Sequence, residues 1–456
     1  MAQLGQVVPT ATVGQSVIKF PEYPDFQPTV DVPWITDGQR QTLQALHKMP
    51  LQFIARMIVK RAECALLPSH PPDSWINATI ANKILKDTDQ LEMLIHSIPR
   101  KHIRAIVMGT IGWHIAPERG ASAEALRGNP YKRNGPGTYI ATITIDGRGG
   151  RGLSGIEYQT LAEKVEDYLE ARDASQVQAQ LQTRRMKDLL KWANRIDRFF
   201  AHKRASLGTT VLVSTDRAYE KMRDLVKVFR SRHASTIQLD PNAHPIQGMS
   251  YVGCAIKDIR DRSASHHHHS TYEQSNYTWW LTMSCIKDMG LLPFVRISHA
   301  IRTWEPEQLP LSEILVTVLA QSMIEECGFN AWLPGGTVDS LAPHRNWDGD
   351  LIDVMHYRTY LPDQLRETAD LLEDFTKKLV SIDELSAGLR RRREDLLLKV
   401  WETESMTSLK FTDEDDIRKT MSLRSKLIDE TKLADEQLET CMQFFAEMTS
   451  RSRKTR

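Results

Sequence analysis

Apolar residues recur at three- and four-residue spacing through the first quarter of the chain. Leu43, Leu46, Phe53, Ile54, Met57 and Ile58 mark one stripe, with Pro50 interrupting or starting a helix; Leu91, Leu94, Ile95 and Ile98 mark another, and Ile103, Ile106, Val107 and Ile111 follow Pro99. This period predicts a helical region over 36–127, with Asp87-Thr88-Asp89 placed to cap a helix. The period changes to two over Thr138–Ile145, a β-branched alternating run between Gly135-Pro136-Gly137 and Asp146-Gly147. That is a strand bounded by turns. Helical spacing returns at Leu161, Val165, Tyr168 and Leu169, at Leu189, Leu190, Ala193, Ile196 and Phe199, and over 218–229. A second β-prone run opens at Met249. Gly253 sits where the backbone turns or meets something closely. A short amphipathic stretch carries Ile256 and Ile259, and a helix over 272–289 follows. Phe294–Ile301 alternates as a third strand. An apolar helix is then predicted over 311–327.

The two ends differ from this middle. Residues 1–35 hold Pro9, Pro21, Pro24, Pro28 and Pro33, which reads as an extended arm anchored by Ile18, Phe20, Tyr23, Phe26 and Trp34. Residues 341–360 read as a connector. From 361 to 449 leucines recur every seven residues (Leu365, Leu372, Leu379), as do Phe375, Ile382, Leu389 and Leu396. That seam predicts a helical hairpin or a coiled coil that joins two copies of the chain as a homodimer. The tail 450–456 is basic.

Composition narrows the function classes without choosing one. The 456 residues are 41% hydrophobic and 26% charged, with a net charge of +1. A nucleic-acid surface must therefore be a local basic patch. The five cysteines stand far apart, which argues against a disulfide framework or a zinc ribbon. No apolar run approaches membrane-spanning length and no secretory leader pattern opens the chain, so the expectation is a nuclear or cytoplasmic protein with no membrane association. The tetrad His266–His269 lacks ligands from separate elements and is not read as a dedicated metal site.

Chemistry concentrates around two tyrosine-glycine pairs. Tyr251-Val252-Gly253 closes one strand, with Arg260, Arg262 and His266 on the following stretch; Gly137-Thr138-Tyr139 opens another strand. Guanidinium groups suit phosphate oxygens, while phenol and imidazole move protons. These segments resemble the GIY-YIG nuclease family, in the order strand, helical insertion, strand, basic helix, strand, helix and Asn-turn over 128–340. The family places its two motifs on one short hairpin, whereas here residues 146–248 would be an insertion at the turn. The cost of closing such a loop grows only logarithmically with length. The run Thr209–Ser214, which has no tyrosine, is the alternative first strand.

The resemblance implies an α+β fold: a small three-stranded antiparallel sheet with helices inside a mainly α-helical chain. It implies a metal-dependent endonuclease with Tyr139, Tyr251, Gly253, Arg262, His266 and Asn330 as site residues, and with Arg260 as the rival to Arg262. Glu313 would hold Mg²⁺ or Mn²⁺, with Gln321 as the rival occupant of that slot. DNA or RNA would be the substrate. Lys187, Lys191 and Arg195, at near-helical spacing, are candidate nucleic-acid contacts together with Arg260. The Gly-Arg repeat at 147–152 reads as a flexible basic loop. The alternative function is a catalytically degenerate nucleic-acid-binding or scaffold protein that self-associates through its C-terminal helices.

Overall fold

The computed structural model describes residues 28–67, 75–117, 135–199, 210–264, 266, 277–335, 347, 351–352, 354 and 360–374, with isolated helical positions as far as 426. Pro24–Ala369 makes one compact unit; Met1–Tyr23 and Asp370–Arg456 group as another. In the second unit, Glu373–Lys377 and Asp395–Lys399 pair at one-turn helical spacing. Most of the arm, the heptad seam and the basic tail lie outside the described residues.

The first helices are α1 (Asp37–Lys48), α2 (Leu51–Ala65), α3 (Ala78–Lys86), α4 (Thr88–His96), α5 (Arg100–Val107) and α6 (Ile111–His114). Thr36 and Gln39 close a capping box at α1. Pro50 stands at the N-cap of α2 and Pro99 at that of α5. A proline lacks the N–H that a helix start would leave unpaired, so it costs little there. Asp87 is the N-cap of α4, but its side chain makes no capping bond.

Three strands follow: β1 (Gly137–Ile145), β2 (Ser250–Ala255) and β3 (Pro293–Arg302). All pairs are antiparallel and β1 is central, in the order β2-β1-β3. The protein is therefore α+β and mainly helical, as expected. β1 is buried throughout. Because a strand alternates its side chains, the sheet separates two cores. Ile140, Val252, Ala300 and Ile301 join the core of α1–α6, and Ala141, Ile143, Ile145, Met249 and Val295 join a second core on the other face. The first six helices thus share a core with the sheet.

Between β1 and β2 the chain builds α7 (Gly155–Ser175), α8 (Arg184–Arg198) and α9 (Asp216–Ile237). Ser154 and Glu157 cap α7 with a capping box. The entrance and exit of this insertion are tied together. Gly152 N donates to Pro245 O over 2.9 Å, and the Arg151 guanidinium donates to His244 O over 2.7 Å. The Gly-Arg loop is a fixed turn rather than a flexible one. Arg148 grips Glu157 with two bonds of 2.7 and 2.8 Å, and Arg151 pairs with Asp31 at 2.6 Å. Residues 210–214 form a loop, so the alternative first strand does not exist.

After β2 come α10 (Ile259–Ala264), α11 (Tyr277–Asp288) and, beyond β3, α12 (Gln308–Ala320). The apolar helix expected over 311–327 begins earlier and stops at Ala320, because Gln321 adopts φ 47°. A left-handed residue ends the ladder. The Gln321 side chain is anchored by Thr36, whose hydroxyl donates to Gln321 Oε1 over 2.7 Å. A 3₁₀ turn, Ile324–Glu326, follows. Among the described residues no helix is long and apolar enough to cross a membrane.

Candidate active site

The register of β1 against β2 places Tyr139 opposite Gly253 and Ala141 opposite Tyr251. Both tyrosines therefore rise from the same face of the sheet, although 112 positions separate them. Gly253 does not end its strand; it lies inside β2. The phenol of Tyr139 crosses directly over it. A Cβ built at Gly253 would stand 2.6 Å from Tyr139 Oη, 2.8 Å from its Cζ and 3.1 Å from Tyr251 Cε1. Only glycine leaves that passage open.

Tyr139 is fully buried, and its Oη lies 2.7 Å from His266 Nε2. The direction of that bond follows the imidazole tautomer. His266 lies two residues past the end of α10 rather than on it, with its N–H donating to Ser263 O over 3.0 Å. The Trp279 indole donates to His266 O over 3.2 Å. The ring centroid of His266 is 4.5 Å from Tyr251, 5.6 Å from Tyr139 and 6.0 Å from Trp279. Burial raises the Tyr139 phenol well above its ordinary range. Tyr251 pushes it the same way and the charge of Arg262 opposes both. Tyr139 is thus a neutral phenol at physiological pH. Tyr251 is only half-buried.

Glu313 lies across the sheet from this cluster. Thr138 and Cys254, paired in the register, both point toward α12. Thr138 Oγ1 lies 2.6 Å from Ser312 Oγ, and Cys254 Sγ donates to Glu313 Oε2 over 3.4 Å. Gly335 N donates to the same carboxylate oxygen over 2.6 Å. Burial pushes the Glu313 carboxyl up, against the pull of Gly335, Cys254, Lys83 and Arg262. Lys83 reaches this corner by donating to Gly335 O over 2.6 Å. Gln321 does not occupy the acidic slot; it sits at the far end of α12, on Thr36. Arg262 is exposed on α10, and its charge acts on Tyr139, Cys254 and Glu313 alike.

Among the described residues no fourth strand pairs with the β2 edge of the sheet. Residues 329–330 cover it instead. Phe329 N donates to Ser250 O over 3.0 Å. The Asn330 amide brackets Val252: Nδ2 donates to Val252 O at 2.7 Å, and Val252 N donates to Oδ1 at 2.8 Å. Asn330 acts on the backbone of the site strand, not on a reacting group. The sequence marks Gly253 and Asn330 but not their partners. Trp279, Phe329, Cys254, Thr138, Gly335 and Lys83 reach the site through pairings that only the fold creates.

The expected nucleic-acid contacts divide. On α8, Lys187 and Lys191 are exposed, and Lys191 pairs with Asp188 at 3.8 Å. Arg195 pairs with Asp288 at 2.7 Å, which also receives Lys164 and the Trp192 indole. Arg195 therefore tethers α8 to α11. The Arg260 side chain lies outside the described residues.

Among the described residues no group of three or more His, Cys, Asp and Glu side chains is arranged to hold a metal ion. Glu313 fits one hard cation as a single carboxylate ligand. It is half-buried, and its Oε1 makes no hydrogen bond among the described residues. A Mg²⁺-type ion bound through one carboxylate keeps several waters. Searches of protein-family models, curated proteins and solved structures find no match to this chain.

Proposed function

We propose that the chain is a GIY-YIG-like endonuclease that hydrolyses nucleic-acid phosphodiester bonds at the β2 edge of its sheet. One observation carries the reading. Strands 112 positions apart pair so that Tyr139 lies over Gly253, its hydroxyl meets His266, and Tyr251 flanks the same imidazole. In this reading a water attacks the phosphorus and the P–O bond to the leaving alkoxide breaks. Tyr251, the less buried phenol, acts as its phenolate: it takes the water's proton, and that proton goes to the departing oxygen. Tyr139 and His266 orient one another beside it. Arg262, an exposed guanidinium, neutralises charge developing on the phosphate oxygens. Asn330 keeps β2 in register beneath them. Glu313 would hold Mg²⁺ or Mn²⁺, which supplies Lewis-acid polarisation of a phosphate oxygen when bound.

A second reading has its own support. Glu313 already accepts hydrogen bonds from Gly335 and Cys254, its carboxyl is pushed up by burial, and it stands on the sheet face opposite the tyrosines. A nucleic-acid-binding module that has lost its metal site accounts for those features.

The deciding experiment is cleavage of branched, single-stranded and duplex DNA with Mg²⁺ or Mn²⁺ by the wild type, Arg262→Ala and Glu313→Ala. The expected result is metal-dependent cutting that falls by about 10²–10³-fold in Arg262→Ala and is abolished in Glu313→Ala. Cutting that survives Glu313→Ala rejects that metal ligand. Salt-sensitive binding without cutting by the wild type rejects the nuclease and leaves the binding module.

A further inference from the structure

Two residues beyond Asn330 the chain exposes an aromatic shelf. Trp332 is 48% exposed and Leu333 beside it 43%. Both lie on the short run between Asn330, which brackets β2, and Gly335, which caps Glu313. Two residues span at most about 7 Å of extended chain, so the Trp332 backbone lies within that distance of Asn330, which holds the site strand. The Arg217 guanidinium, from the first turn of α9, lies over this indole at 4.0 Å from the ring centroid. Arg217 is exposed and makes no ion pair with a carboxylate among the described residues. Nearby cations are engaged: Lys221 with Glu325, and Arg172 with Asp216.

An exposed indole with a guanidinium over its ring is a costly surface to leave in water. The two groups together match a nucleotide: the ring supplies a π-face for a base, and the guanidinium supplies a charge for the adjoining phosphate. Bases within a duplex already have their faces covered by their neighbours, so stacking selects an unpaired base.

We propose that Trp332 and Arg217 form a stacking shelf for one base of an unpaired strand entering the site. The inference rests on the nucleic-acid reading above and adds a substrate class: single strands, or flaps and branches with an unpaired arm. Trp332 takes the base and Arg217 the phosphate beside it. The helical insertion has a direct part in the site here, because α9 brings Arg217 to a loop that begins more than a hundred residues later.

Fluorescence anisotropy with a fluorescein-labelled oligothymidylate of about 12 nucleotides (a length within the site sizes of single-strand binders), in EDTA, tests binding apart from cleavage. A duplex of the same length is the reference. The expected result is that Trp332→Ala weakens single-strand binding roughly 5- to 150-fold with little change for the duplex. Trp332→Phe keeps most of the affinity. Arg217→Ala lowers the salt slope of single-strand binding by about one. Wild-type affinity in Trp332→Ala, or an equal loss for both strand types, overturns the shelf and leaves the nuclease reading standing. A wild type that binds neither oligonucleotide overturns both readings. Self-association in sedimentation velocity that disappears in Trp332→Ala would instead assign the shelf to a second copy of the chain.

Discussion

Replacing Gly253 by alanine tests the geometry at the centre of the site. Gly253 sits in a regular strand, where alanine needs no unusual backbone angle. A glycine-to-alanine change in a compatible backbone ordinarily stabilises by about 0.4–1 kcal/mol, because it restricts the unfolded chain. Here the new methyl would stand 2.6 Å from Tyr139 Oη and 2.8 Å from Cζ. An ordinary contact needs about 3.5 Å, so the phenol must retreat by close to an ångström. Its ring is fully buried. Overpacking of this kind costs about 1–3 kcal/mol. The retreat also stretches the 2.7 Å bond to His266, and leaving a buried polar group unpaired costs about 1–3 kcal/mol more. Against the opposing gain, the net expectation is a loss of about 1–5 kcal/mol.

Urea unfolding followed by tryptophan fluorescence is a suitable assay, since Trp279 packs on both His266 and Tyr251. Tyr139→Phe removes the hydroxyl and with it the closest contact. The two changes share one atom, so the double variant should be less destabilised than the sum of the singles by about 1 kcal/mol or more. A loss below about 0.5 kcal/mol in Gly253→Ala (the usual range for a neutral surface change), or strict additivity, refutes the placement of the phenol over Gly253.

Three further outcomes follow from the same framework. Asn330→Ala should cost about 2–4 kcal/mol, since it strips partners from a buried N–H and a buried carbonyl of Val252; unchanged hydrogen-exchange protection at Val252 would contradict this. His102 is fully buried and its imidazole is pushed down to about 4, first by burial and then by His114 and His299. It folds neutral while the unfolded chain takes up a proton below about 6.5. Its stability contribution is therefore intact above that pH and is lost as pH falls toward about 4, by up to roughly 3 kcal/mol. His102→Gln should flatten the acid limb of a stability-against-pH curve, and an unaltered limb would refute the assignment. Asp288 is held below the usual carboxylate range: burial raises it, but the bonds from Lys164 and Trp192 and the charge of Arg195 outweigh that. Asp288→Asn should release α8 from α11, cost about 1–3 kcal/mol for a mostly buried hydrogen-bonded charge, and raise proteolytic cleavage within 184–198; unaltered cleavage there would show that the tether is idle.

Local pattern made the elements legible. The change of hydrophobic period at Thr138, the turn glycines around it and the alternation of Phe294–Ile301 were enough to place β1 and β3 within one residue. The helical insertion was legible for the same reason: side-chain spacing reports which face of an element is buried, and that is a local property. Gly253 is legible as a glycine in a β-prone run, and Asn330 through its place before a turn. Where pattern failed, the partners lay elsewhere in the chain. The apolar run past Ala320 continues to look helical, yet the helix ends there in a left-handed Gln321, whose side chain is engaged by Thr36, nearly three hundred positions earlier.

By itself, the sequence determined which segments become helix and which become strand, and that the candidate chemistry gathers around two tyrosine-glycine pairs. The tertiary structure alone decided that those pairs share one face, because register is a pairing between strands and no spacing within either strand encodes it. It alone put Glu313 on the opposite face beside Cys254 and Gln321 at the far end of its helix on Thr36, tied Arg148 and Arg151 of the expected flexible loop to Glu157 and Asp31, paired Arg195 with Asp288, and laid Arg217 on Trp332. Each of these outcomes is a contact between residues remote in the chain. Such contacts are set by how buried faces pack and by which charges find partners on closure, and both arise only once the chain has folded.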